Sequence, residues 1–276
     1  MFFRSKRPVV AVVRLHGVIG RLGPLRSGLT LAGLAAVIER AFKLKNLKAV
    51  ALSVNSPGGS PVQSSLIFKR LRALAEERDV PILVFAEDAA ASGGYWLACA
   101  GDEIYADENS VVGSIGVVSA GFGFPELIAR YGVERRVHTA GENKGMLDPF
   151  QPEKPDDVKR LKALQADIHD AFKALVRDRR GKRLKGEENE VFSGAFWTGR
   201  QALELGLIDG IGDLRTVLRD RFGDKVQLRL VQVRRGFLGR RLGFRLGGEP
   251  GPEPRGWAGE AIAAVEERLL WNRFGL

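Results

Sequence analysis

Cysteine is nearly absent from this chain: Cys99 stands alone among 276 residues. An internal disulfide and a thiolate zinc cluster are therefore both excluded, and a reducing compartment is allowed. Histidine is scarce as well, with three copies, so a Ser/His/Asp triad has few ways to form. Long hydrophobic runs are missing. The N-terminal run Pro8 to Val13 is stopped by Arg14, well short of the roughly 18 apolar residues that make a membrane-span candidate, and no small-residue cleavage site follows it. P-loop, HExxH, GxSxG, GxGxxG and SxxK patterns do not occur. The pair Asp102-Glu103 has no His or Cys at metal-ligand spacing and reads as a polar strand edge. Neither metal nor cofactor is expected, and the chain reads as soluble and not exported.

What is present is globular composition. Apolar residues make up 45% of the chain and charged residues 28%, with 43 Lys and Arg against 33 Asp and Glu for a net charge of +10. That excess fits either a well-solvated basic surface or an anionic partner. Short apolar runs bounded by Gly, Pro, Asn or Asp predict buried strands at Val9–Leu15, Ala49–Val54, Ile82–Ala86, Glu103–Ala106, Val111–Val118 and Arg135–Thr139. Between them, helical spacing predicts Thr30–Lys45 and Val62–Arg78. A longer helix is predicted from Pro155 to Arg180, acidic at its start and basic at its end. The alternation is that of an α/β fold. After residue 225 the character changes: Val226 to Leu246 holds six Arg and no acid, a Gly/Pro-rich break follows, and Trp257 to Phe274 reads as an amphipathic helix. We divide the chain into a core, 1–225, and a basic extension, 226–276.

Two segments just after buried strands lie where α/β proteins bind ligands. In Asn55-Ser56-Pro57-Gly58-Gly59-Ser60, the glycines permit positive φ and bring backbone N–H groups close to a ligand. Such a turn can hold an oxyanion, or can simply connect a strand to a helix. In Ala89-Ala90-Ala91-Ser92-Gly93-Gly94-Tyr95-Trp96, Ser92 stands at or just before a helix N-terminus, a setting that suits a plain N-cap or a nucleophile. A nucleophilic serine needs a base. His16, His138 and His169 have no triad context, and His169, inside the long helix, reads as a solvent-facing or packing residue. A lysine serves if it is held neutral by burial or by nearby positive charge, and Lys144 lies in a Gly-flanked loop beside Met146, Leu147 and Phe150. Ser114, between glycines in the apolar run Val111–Val118, offers a hydroxyl that could orient such an amine or bond to backbone.

Taken together, these segments resemble the signal peptide peptidase A and SohB-like serine peptidases of the Clp-protease/crotonase superfamily. The resemblance is carried by Asn55-Ser56-Pro57-Gly58-Gly59, by Ala91 to Trp96 with Ala100 to Ala106, by Gly113-Ser114-Ile115-Gly116-Val117, by the Lys144 loop, and by Trp197 to Ala202 with Gly206 to Asp209. It implies a crotonase/Clp-protease-like ββα superhelix. It also implies Ser92 as nucleophile, Lys144 as general base 52 residues later, Ser114 as the group orienting the lysine, and the N–H groups of Gly59 and Gly93 as the oxyanion hole. The implied activity is hydrolysis of extended peptides, remnant signal peptides among them, by a homo-oligomeric ring or dome whose neighbouring subunits complete the sites. Many members carry an N-terminal anchor, and none is read in this chain. A cytoplasmic location is expected, with peripheral contact to an anionic membrane through the basic extension as an open option, and no nucleic acid is expected as a partner. Two other readings share the fold: a crotonase-type acyl-CoA hydratase or isomerase, for which Glu87 and Asp88 are the nearest carboxylates in sequence, and a non-catalytic membrane-associated scaffold.

Overall fold

A computed structural model describes residues 7–21, 28–232, 264–265 and 267–276. In chain order the elements are β1 (Val9–His16), α1 (Leu31–Phe42), β2 (Leu47–Ser56), α2 (Pro61–Arg78), β3 (Ile82–Ala91), α3 (Gly93–Ala98), β4 (Glu103–Ala106) and β5 (Val111–Gly113). There follow α4 (Pro125–Arg130), α5 (Pro155–Arg180), α6 (Glu188–Val191), β6 (Phe196–Thr198), α7 (Gly199–Glu204), β7 (Gly210–Ile211), α8 (Leu214–Phe222) and β8 (Gln227–Leu230). The sheet runs β6-β5-β3-β2-β1-β8, with β4 and β7 branching from β3. Every pairing is parallel except β5 with β6.

Parallel strands covered on both faces read as continuous apolar runs, and β1 and β2 do so. One face, with Val13, Leu15, Leu52, Val54 and Val84, packs against Ile38, Phe42, Ile67 and Leu71 of α1 and α2. The other, with Val10, Val12, Ala51 and Phe85, packs against Leu218 of α8. The helices begin where the sequence offers caps: Thr30 accepts from the Gly33 N–H and Ser60 from the Gln63 N–H. Each such cap contributes about 1 kcal/mol.

Two strand expectations need correction. Val111–Val118 is a strand only to Gly113, because Ser114 turns the chain with φ of 52°. Arg135–Thr139 is exposed and forms no strand, so His138 lies in a loop. Arg180 stands in the last turn of the long helix as expected, and is in addition buried and bidentate to Asp209, at 2.7 and 3.0 Å. The sheet also passes the boundary drawn at residue 225, since β8 pairs with β1. Residues 233–263, with five of the six arginines of 226–246, lie outside the described residues. Of the expected terminal helix, 264–265 and 267–272 are helical, and Phe274 is buried edge-on against Phe196 with centroids 5.1 Å apart. No helix among the described residues is long and apolar enough to cross a membrane.

The Arg180–Asp209 pair ties α5 to the end of the sheet, and Asp209 also accepts from the Ile104 N–H at 2.8 Å. Burial raises the Asp209 carboxyl, but the Arg180 hydrogen bonds and charge, the Ile104 N–H and Arg183 outweigh it and hold it below its ordinary value. A carboxylate depressed in the folded state stabilises the fold above its unfolded pKa of about 3.9, and that contribution is lost as pH falls through the lower folded value. Arg180→Ala should cost about 1–3 kcal/mol at neutral pH, because it takes the bidentate partner from a partly buried carboxylate that keeps Arg183 and the Ile104 N–H. Chemical denaturation of wild type and variant from neutral to strongly acid pH checks this: the gap between them should close only at the acid end.

Candidate active site

β2 and β3 end side by side, and each delivers a turn to one place. The first turn is Pro57-Gly58-Gly59, with positive φ at Gly58 and Gly59 (108° and 140°). The second is Ser92, between the last strand residue, Ala91, and the first residue of α3, Gly93. Ser92 has φ 52° and ψ −121°, and its side chain makes no capping bond to the helix. A non-glycine residue in this sparsely populated region costs on the order of 1–3 kcal/mol and persists only where its surroundings enforce it. Here the enforcement is visible. The Ser92 N–H donates to the Gly113 carbonyl at 2.8 Å, and the Ser92 carbonyl accepts from Trp96 N–H at 3.0 Å. Ser92 thus occupies the N-cap position of α3 without using its hydroxyl as a cap, and a sharp strand-to-helix turn that carries a strained serine resembles a nucleophile elbow.

The two turns nearly touch. A Cβ on Gly58 would come within 2.8 Å of the Ser92 Cβ and 2.9 Å of the Gly93 nitrogen. A Cβ on Gly93 would lie 2.6 Å from Ser64 Oγ and 3.3 Å from the Gly59 nitrogen. Only glycine fits at either position. The backbone nitrogens of Gly59 and Gly93 thus lie close to the Ser92 turn, and neither donates to a backbone carbonyl among the described residues. Two N–H donors without backbone partners, one of them at the start of α3, could hold developing negative charge.

Ser114 is buried just beyond Gly113, in a second strained turn, with its N–H donating to the Ala195 carbonyl at 2.7 Å. His169 is neither solvent-facing nor a mere packing residue of the long helix: its Nε2 donates to the carbonyl of Ile115, next to Ser114, at 3.0 Å. Helical spacing alone gives no sign of this contact, which crosses 54 residues. His16 serves no triad: its Nε2 meets Ser53 Oγ at 2.7 Å on the other face of the sheet. Glu87 and Asp88 are engaged by Ser53 and Asn55. Cys99 is fully buried, and burial pushes its thiol up to about 12, so it offers no nucleophile.

Lys144 is joined to Ser92 by no hydrogen bond among the described residues. It lies in an exposed turn, and its N–H donates to the Gly141 carbonyl. Its surroundings stand off the core, for no residue from Gly116 to Ala171 is buried. The stretch is nevertheless internally fixed. The Phe124 N–H donates to the Pro149 carbonyl, Arg135 pairs with Asp148 at 2.8 Å, and the Arg135 guanidinium stacks over Phe150. Large apolar side chains project from it into solvent, Phe122 at 77% exposure and Tyr131 at 73%.

A mostly parallel sheet that ends in a strained serine beside two N–H groups without backbone partners is an arrangement that can carry acyl transfer. Comparison with known proteins makes this specific: residues 75–227 match Peptidase family S49, and the chain belongs to that family. It is 54% identical, over 99% of its length, to part of the protein of Brucella abortus named Na(+)/H(+) antiporter NhaA. It is 33% identical, over 61% of its length, to the putative signal peptide peptidase SppA of Enterococcus faecium. The chain spans 38% of the first relative and 48% of the second. Among solved structures, a 1510-N membrane-bound stomatin-specific protease has the same fold, with a TM-score of 0.52 at 15% identity, covering 82% of this chain and 99% of that one.

Proposed function

We propose that the protein is a serine endopeptidase that hydrolyses extended peptides, with Ser92 as nucleophile, Lys144 as general base, Ser114 orienting the lysine, and the N–H groups of Gly59 and Gly93 as the oxyanion hole. The observation that carries the reading is the strained Ser92 facing two unused backbone donors. Ser92 Oγ attacks the scissile carbonyl carbon while the neutral Lys144 amine takes its proton. The carbonyl oxygen becomes an oxyanion between the two N–H groups, each worth about 2.7–4 kcal/mol in comparable sites. Collapse breaks the C–N bond, Lys144 returns its proton to the leaving amine, and water then releases the acyl group by the same steps.

The base must arrive by assembly. An arm with no buried residue, an ordered interior and exposed Val118, Phe122, Leu127 and Tyr131 is the surface of a chain that packs on another copy. We take the Lys144 beside each Ser92 to come from a neighbouring subunit of a homo-oligomer. Remnant signal peptides are the substrate class, in line with the name of the Enterococcus relative. Contact with an anionic membrane is supported by a cleft of about 1160 Å³ lined by Arg7, Lys43, Lys45, Lys225 and Arg229, with no acidic residue among the described lining, and by the arginines that come after β8 in sequence.

A serine-directed fluorophosphonate tests the central claim. The assembled protein should be labelled at one site, and peptide mapping should place the adduct on Ser92. Absence of labelling, or an adduct elsewhere, removes the reading.

A further inference from the structure

β3 does not run straight into the Ser92 turn. Its ladder with β2 pairs Val54 with Ala86 and next Ser56 with Ala90, so two steps along β2 match four along β3. The surplus falls at Glu87 and Asp88, the two exposed positions of an otherwise buried strand. The strand also changes partner there. Its outer neighbour is β4 as far as Ala86 and β5 from Ala89 onward. An insertion of this kind bends a strand and re-aims the residues beyond it. Ser92 is the first residue past the end of this strand.

A bulge leaves backbone groups without ladder partners, and side chains replace them here. Asn55 is the β2 residue skipped by the ladder between Val54 and Ser56. Its Nδ2 donates to Asp88 Oδ2 at 2.7 Å, and its Oδ1 accepts the Ala89 N–H at 3.1 Å. Its own carbonyl accepts the Gly17 N–H at 2.8 Å. Below it, Ser53 Oγ donates to Glu87 Oε1 at 2.6 Å. With its one proton so used, the Ser53 oxygen accepts from His16 Nε2. Asn55 is thus held to the end of β1 and grips Asp88 in the bulge and Ala89 just beyond it. It also begins the chain segment that ends in the Gly58-Gly59 turn.

We propose that Asn55 is a positioning residue: by clasping Asp88 and the Ala89 N–H, it fixes the register at which β3 delivers Ser92 opposite the Gly59 and Gly93 N–H groups. The proposal rests on Ser92 being the nucleophile. The insertion displaces the strand by about 6.6 Å at 3.3 Å per residue, so the clasp decides which residue reaches the turn. A misplacement of 1 Å at a reacting atom can already cost about 100-fold.

The test exploits the chemistry of the pair in the full, assembled chain. Asn55→Asp sets two carboxylates against each other, Asp88→Asn leaves an amide on each side, and the double variant restores one amide and one carboxylate with the donor on β3. Fluorophosphonate labelling rate, kcat and KM on an unstructured peptide, and the thermal midpoint are read for all four proteins. Asn55→Asp should slow labelling and lower kcat by about 10- to 100-fold, with KM changed by less than about twofold. The double variant should recover to within about threefold of wild type, the coupling expected of groups in contact. Labelling of Asn55→Asp at the wild-type rate overturns the proposal, as does a double variant no faster than Asn55→Asp. A wild type that takes no label overturns the nucleophile reading instead, and this proposal with it.

Discussion

Ser92→Ala is expected to lower kcat by about 10⁶-fold, the scale on which loss of the nucleophile disables other serine hydrolases, while substrate still binds. In the proposed mechanism Ser92 Oγ forms the covalent bond, and two neighbouring groups are poor substitutes: Cys99 is buried and its thiol is held protonated, and Ser64 Oγ is committed to the Ser60 carbonyl at 2.9 Å. Ser92→Gly should be equally inactive but more stable than Ser92→Ala. At φ 52° a side chain is carried only under strain, and glycine removes it, a gain of about 1 kcal/mol. Peptide hydrolysis with wild-type, alanine and glycine proteins, read beside their unfolding midpoints, checks both parts. Hydrolysis that survives in the alanine variant would sink the serine mechanism. Turnover of an acyl-CoA by that variant would move the protein to the hydratase class.

Lys144→Ala should be as inactive as the serine variant, since the serine proton then has no acceptor, and its behaviour in mixtures should be distinctive. Where each site joins Ser92 of one subunit to the lysine of the next, neither single variant alone can build a working site. Equal amounts of the two, unfolded and reassembled together, should regain about a quarter of the wild-type rate, because one junction in four pairs an intact serine with an intact lysine in a closed ring. A mixture as inactive as its components would place both groups in the same subunit. The exposed apolar arm makes a further demand: activity per mole should fall on dilution as the assembly comes apart.

Much of the scaffold is legible in the amino-acid order, because buried parallel strands and amphipathic helices carry strong local patterns. Val9 to Leu15 and Pro155 to Arg180 are of this kind, and Ser92 stands out by its small neighbours. What escapes is set by pairing between distant strands. The run Ile82–Ala86 continues to Ala91 because Ala89, Ala90 and Ala91 gain partners on β5, and alanine alone does not announce a strand. Arg135–Thr139 has β-forming residues but no neighbour to pair with. Arg180 is legible as a helix-end cation, but its pairing with Asp209, 29 residues on, is not. The bulge at Glu87 and Asp88 exists only as a difference between two registers, so no window of a single strand reveals it. The exposed turn that holds Lys144 carries no pattern of buried positions from which a place near Ser92 could be read.

The cleft lined by Arg7, Lys43, Lys45, Lys225 and Arg229 opens at the beginnings of β1, β2 and β8, whereas Ser92 and Gly59 lie just past the ends of β3 and β2. The ten residues of β2 separate those poles by about 33 Å at 3.3 Å per residue. A molecule resting by its cationic pole on a lipid headgroup layer would therefore cut about one bilayer-core thickness above it. Its targets would be stretches already pulled clear of the lipid and long enough to climb to that height, and a residue still seated among acyl chains would be out of reach.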